Sequence, residues 1–201
     1  MPKTKTRRKG AVRPAKLSPV LALVICLIAA FLALRDPGSQ AALPVSMDDI
    51  PAYSGEAYVE INGGEPFFTE SDWTTDAFET YSELDGCGVA YANICQEIMP
   101  TEPRGKIGSV KPSGWHTIRY NGLVEGNYLY NRCHLIGYQL AGENANPKNL
   151  ITGTRYLNTT GMLPFENEVN DYVDETDNHV LYRVTPVFEG DDLVASGVLM
   201  E

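Results

Sequence analysis

Leu17 to Leu34 is a run of 18 residues without a single charge, LSPVLALVICLIAAFLAL. As a helix rising about 1.5 Å per residue it would span roughly 27 Å, just enough to cross the hydrocarbon core of a bilayer. The run is apolar on every side, which does not suit a helix laying one face on a globular core. Seven basic residues precede it (Lys3, Lys5, Arg7, Arg8, Lys9, Arg13 and Lys16), and by the positive-inside rule they keep the N-terminal tail in the cytoplasm. Ser39 and Ala41 provide the small residues of a signal cleavage site after Ala41. Two readings therefore stand, an uncleaved signal-anchor and a cleaved signal peptide. Under both, the chain from about residue 42 faces the outside. The expected organisation is a targeting segment over residues 1–41, a linker over 42–54 and a folded domain over 55–201.

Charge divides at the same place. Residues 1–35 hold eight of the 16 basic residues and none of the 26 acidic ones. The remainder keeps eight basic residues against all 26 acids, a net of −18, which excludes a histone-like polycation. A hydrophobic content of 43% with 11 tyrosines excludes a disordered acidic chain. Four cysteines are too few for a disulfide scaffold and lack zinc-ribbon spacing. Cys26 lies in the apolar run and reads as a small apolar residue. Cys87, Cys95 and Cys133 then leave an odd number outside, where disulfides persist. At most one internal pair forms, and spacing does not choose between Cys87–Cys95 and Cys87–Cys133.

Periodicity in the exported part points to an α+β domain with mostly antiparallel strands. A short acidic helical start is expected at Ser46–Ile50. Tyr58–Ile61 alternates into Asn62-Gly63-Gly64 and on to Pro66-Phe67-Phe68, a hairpin signal. Thr69–Ser82 reads as loop passing into helix. Trp115–Tyr120 and Tyr128–Cys133 read as strands around the turn residues Asn121-Gly122 and Gly126. Leu163–Asp174 has helical spacing, with Pro164 suited to a first turn. Val180–Phe188 and Leu193–Met200 read as two closing strands.

Several catalytic templates are absent from the sequence: no GxSxG, no HExxH and no GxxxxGK[ST]. His116, His134 and His179 are too dispersed to form a zinc site by spacing. Charge is more telling. Between Arg104 and Arg155 lie seven of the eight exported basic residues, Arg104, Lys106, Lys111, Arg119, Arg132, Lys148 and Arg155, with only Glu125 and Glu143 opposing them. A local excess of +5 in a domain of −18 suits a groove for a polyanion. Inside it, Asn131-Arg132-Cys133-His134 ends a strand, which puts Arg132 and His134 on one face. Arginine suits phosphate, and a neutral imidazole suits taking a proton from water. Downstream amides offer oxygen ligands to a hydrated magnesium ion.

The segment NRCHLIGYQLAGENANPKNLITGTRYLN, with Lys111–Trp115 before it and Gly161–Asn167 after it, resembles the signature of the DNA/RNA non-specific endonucleases. These have the ββα-metal, or His-Me finger, fold, and the likeness is to the streptococcal-type secreted branch. It covers roughly residues 55–201 and implies a ββα-metal fold with a central, mostly antiparallel sheet. It implies phosphodiester hydrolysis on DNA or RNA with one Mg2+, Mn2+ being an alternative ion. By motif position, His134 matches the general base, Asn158 the metal-binding amide, Glu166 the acid that orders metal-bound water, and Arg132 the arginine supporting the phosphate. Arg119, Lys148 and Arg155 are the expected nucleic-acid contacts. The usual Asp-Arg-Gly-His reads Asn131-Arg132-Cys133-His134 here, which removes a negative charge beside the site. A further family arginine is missing where the chain reads Val169-Asn170-Asp171, so leaving-group stabilisation falls to the metal, Arg132 or Arg155.

The rival reading is a membrane-tethered nucleic-acid receptor for DNA uptake without catalysis, which needs the basic window but neither His134 nor Asn158. Strong dependence on divalent cation and steep loss of binding with salt are expected of an acidic nuclease.

Overall fold

A computed structural model describes residues 44–82 and 88–201. The targeting segment over residues 1–41, with its expected N-terminal hydrophobic helix, and Cys87 lie outside the described residues. Among the described residues no helix is long and apolar enough to cross a membrane.

Four antiparallel strands form the main sheet in the order β1-β2-β5-β6: β1 Phe78–Tyr81, β2 Ala90–Ile94, β5 Val180–Val187 and β6 Gly197–Met200. β2 and β5 meet in a register that sets Ala90 against Val184 and Ala92 against Tyr182. Small side chains on β2 thus face large ones on β5, and all four are buried in the core. Alternation along β2 sends Asn93 to the other face, where its amide donates to the Asp76 carbonyl at 2.8 Å and meets His179 Nδ1 at 2.9 Å. That contact accounts for His179 as a structural residue.

A separate two-stranded hairpin pairs β3 Tyr130–His134 with β4 Leu150–Thr154, from Tyr130 opposite Thr154 to His134 opposite Leu150. Its connection carries a single helical turn, α1 Tyr138–Ala141, ended by Gly142 in the left-handed region at φ 65°. Buried Asn149 binds this connection to the hairpin. Its side chain accepts from Ile136 N–H at 2.9 Å and donates back to the Ile136 carbonyl at 3.0 Å, imitating a further pair of ladder bonds. After β4 come a π-helical turn, Leu157–Met162, and the long helix α2 Leu163–Thr176. Pro164 stands in the first turn of α2, as expected, and Asp177 ends it at φ 57°. The helix buries Glu166 and Val173, seven residues apart on one face.

Several local expectations are corrected. Asn62-Gly63-Gly64 does make a turn with positive φ, but Tyr58–Ile61 and Pro66–Phe68 form no ladder. This stretch instead lies over α2, Tyr58 meeting Phe165 edge-on at 4.9 Å. Phe67 N–H donates to Glu201 at 2.8 Å. Trp115–Tyr120 contributes only the isolated bridge Arg119–Tyr128, and Leu193–Met200 is a strand only from Gly197. Thr69–Ser82 holds a single 3-10 turn, Glu70–Asp72, capped by Thr69, and then strand β1, whose pairing with β2 provides the hydrogen bonds.

Candidate active site

His134 is the last residue of β3 and is 6% exposed. Its Nε2 lies 2.8 Å from the carbonyl oxygen of Asn144, in the connection beyond α1. A carbonyl only accepts, so Nε2 carries the proton and Nδ1 presents a lone pair. That lone pair accepts from Arg104 Nη2 at 3.2 Å. Burial lowers the imidazole pKa below its usual 6.5, the Arg104 charge lowers it further, and the bond to the Asn144 carbonyl opposes both. Next to Arg104, Gly105 packs closely on the Asn144 side chain: a Cβ there would stand 2.8 Å from its amide nitrogen.

Glu166 comes from the first turn of α2 and is 7% exposed. Burial pushes its carboxyl up to about 7, while a 3.4 Å hydrogen bond from Gln139 and the Arg104 charge pull it down. Gly137 leaves room for it, since a Cβ at that position would lie 2.8 Å from Glu166 Oε2. Arg104 therefore acts on both the imidazole and the carboxyl.

Asn158 sits in the π-helical turn. Leu157 N–H is capped by Thr154 Oγ1 at 3.0 Å, and the Asn158 carbonyl accepts from Leu163 N–H, the five-residue step of a π-helix. Such turns insert one extra residue into a helix and recur at functional sites. The side of this turn that holds Asn158 lines a cleft of about 430 Å³, shared with Arg104, Trp115, His116, Tyr128, Tyr130 and Arg132. A larger cavity of about 770 Å³ lies between the N-terminal stretch, α2 and β6, and neither His134, Asn158 nor Glu166 lines it.

The remaining expected residues are distributed differently. Arg132 faces the cleft, but its guanidinium donates to the Val110 and Gly108 carbonyls and stacks on Trp115 at 3.7 Å from the ring centroid. Arg119 is exposed and lies over Tyr128 at 5.3 Å. Arg155 pairs with Glu125 at 3.8 Å. Lys148 stands in the turn Pro147–Asn149, whose cap Asn146 accepts its backbone N–H at 2.9 Å. Among the described residues, none of Arg119, Lys148 and Arg155 lines the cleft.

Cys133 is buried and free, and burial lifts its thiol to about 12, so it is a packing residue and no nucleophile. The volume it adds at the position of the motif glycine is accommodated across the hairpin by Gly153, where a Cβ would lie 2.9 Å from Cys133 Sγ. Cys95 is likewise buried and free. Both pairings considered from sequence involve Cys87 and so lie outside the described residues.

Sequence reasoning missed Arg104 as a partner of the imidazole, along with Asn144, Gln139, Gly137 and Asn149. Arg104 was visible within the basic window. Asn144 acts through its backbone carbonyl, which has no residue signature.

A two-stranded antiparallel hairpin running into a helix is the ββα arrangement, here with a buried imidazole at the loop end of the first strand and a buried acid in the helix's first turn. The chain belongs to the DNA/RNA non-specific endonuclease family, whose sequence model matches residues 73–201. It is similar in structure to NucA from Streptococcus agalactiae, at 26% identity over 69% of this chain and 70% of that one. The TM-score is 0.58 against NucA with no metal bound and 0.59 against NucA with a magnesium ion bound. The nuclease Sda1 with bound zinc matches at 27% identity over 61% of this chain and 68% of its own, with a TM-score of 0.51. No curated protein is similar enough to count as a relative.

Proposed function

We propose that this nuclease is extracytoplasmic, depends on a divalent cation, Mg2+ with Mn2+ as an alternative, and hydrolyses DNA or RNA without regard to sequence. The observation that carries the reading is the orientation of His134. With Nε2 held on the Asn144 carbonyl, only Nδ1 can take a proton, and burial keeps the ring neutral near pH 7. His134 Nδ1 removes a proton from the attacking water. Substrate must first draw Arg104 from that nitrogen, and a phosphate is the ligand best able to do so. Asn158 would hold the cation through its side-chain oxygen, and Glu166 would orient the water around it. Among the described residues there is no cluster of three or more His, Cys, Asp or Glu. An amide oxygen and a carboxylate, with water completing the shell, would suit a hydrated hard cation rather than a protein cage. When bound, the ion supplies positive charge to the phosphate and the leaving oxygen. Arg132, itself on the cleft wall, holds Trp115 and the 108–110 backbone in place beside the phosphate, while Arg119, Lys148 and Arg155 give further positive charge to the approaching backbone. Contacts to phosphate carry little sequence information, which accords with non-specific cutting.

Export is supported by the apolar run over residues 17–34 and its basic flank, which either anchors the enzyme in the membrane or is removed on secretion. NucA with magnesium and Sda1 with zinc support a divalent requirement.

The test incubates the full-length protein with plasmid DNA and with RNA, each with magnesium and with chelator, alongside His134→Ala. Degradation should require the cation and fall by at least about a thousandfold in the variant, the scale of losing a positioned base. Cutting that persists in chelator, or is unchanged in His134→Ala, refutes the assignment.

A further inference from the structure

The cleft beside Asn158 is lined largely by polar atoms, and four aromatic rings stand among its lining residues. Trp115, His116, Tyr128 and Tyr130 all line it, and Arg104 joins it to His134. The Trp115 face is covered by Arg132. His116 and Tyr130 meet edge-on with centroids 5.2 Å apart, and the His116 Nδ1–H is fixed on the Gly114 carbonyl at 2.7 Å. Tyr128 remains 43% exposed, with the Arg119 guanidinium over its ring. Ile118, 38% exposed, adds apolar surface to the same wall.

Rings held by neighbours yet open to solvent are stacking platforms rather than core. A volume of about 430 Å³ falls in the range of sites that hold a single small molecule, and accommodates one nucleotide. The charge of the protein points the same way. With a net of −18 after residue 35, long-range attraction for a polyanion is weak, and a non-ionic contribution would add to that of the local basic window. Every base has a π-face, so stacking supplies that contribution without imposing sequence.

We propose that this cleft seats the unpaired base of a nucleotide next to the cleaved phosphate, stacked against Tyr128 and the His116–Tyr130 pair, and that single-stranded nucleic acid is therefore the preferred substrate. In a duplex both faces of a base are covered by its neighbours, and exposing one requires unstacking. The inference rests on the reading of His134 and Asn158 as the cleavage site and adds the substrate class.

The experiment compares a labelled single-stranded oligonucleotide with the duplex of the same sequence, using the full-length protein in excess magnesium. The single strand should be cut with kcat/KM about tenfold higher or more. Tyr128→Ala should lose roughly tenfold on the single strand, the scale of one lost base stack, and little on the duplex. Tyr128→Phe, which keeps the ring, should restore the preference. Equal cutting of both substrates, or an equal loss on both in Tyr128→Ala, overturns the proposal. Binding of the same oligonucleotides to His134→Ala by fluorescence anisotropy separates this inference from the cleavage reading. A single-strand preference that Tyr128→Ala removes sustains the base seat even if the base assignment fails. Equal affinity for strand and duplex refutes the seat even if cleavage is confirmed.

Discussion

Glu166 should destabilise the protein that carries it, and the size of the effect follows from its burial. Its carboxyl is raised from 4.5 to about 7, and at about 1.4 kcal/mol per unit this amounts to about 3 kcal/mol. The sign is set by linkage. Between pH 4.5 and 7 the folded protein holds a proton on Glu166 that the unfolded chain has released, so stability falls as pH rises through that window. Below 4.5 the penalty is absent; above 7 it is fully present. Glu166→Gln keeps the shape and can accept the hydrogen bond from Gln139 while carrying no charge. In metal-free buffer the variant should therefore match the parent at pH 4 and exceed it by up to about 3 kcal/mol at pH 8. Denaturant unfolding followed by tryptophan fluorescence measures both points. A difference independent of pH, or a variant less stable at pH 8, would refute the argument that burial of this carboxylate costs stability. The same variant should lose most of its cleavage activity, the usual exchange where a strained group serves chemistry.

Gly137→Ala should inactivate the enzyme by displacing Glu166, since the added Cβ would lie 2.8 Å from its Oε2; unchanged kcat would show that the carboxylate has another place to go. Asn149→Ala removes both halves of a fully buried bridge to Ile136 and should cost about 2–4 kcal/mol in unfolding experiments. The acid limb of the rate profile reports the imidazole, whose pKa is depressed by burial first and Arg104 second. If that limb is set by His134 it lies below pH 6.5 in excess magnesium, and Arg104→Ala moves it upward; a fixed limb in the variant shows that Arg104 does not act on the imidazole.

The parts legible in the sequence were those encoded locally. Pro164 and the spacing from Leu163 onward marked α2, and the apolar alternation of Val180–Val187 marked β5. The strands that escaped notice, β1, β2 and β4, are the ones whose state depends on partners. Ala-Tyr-Ala-Asn-Ile has little strand propensity of its own, and only pairing with β1 on one side and β5 on the other makes it extended. Leu150–Thr154 is a short apolar run around Gly153, which periodicity cannot assign. Conversely, the Asn62-Gly63-Gly64 turn formed without its strands, because turn residues set φ but cannot supply a ladder.

For the proposed site, the sequence by itself supplied the candidate groups: His134, Asn158 and Glu166 stand in one continuous stretch, and the basic residues crowd the same window. Tertiary structure alone decided what those groups can do. The Asn144 carbonyl chooses the imidazole tautomer, Arg104 arrives from 30 residues upstream onto its lone pair, and Gln139 and Gly137 shape the pocket around the acid. Arg132 is turned to the Val110 and Gly108 carbonyls rather than presented bare. Residue type sets which atoms are available, whereas proton position and pKa depend on desolvation and on partners that only folding brings within a few ångströms.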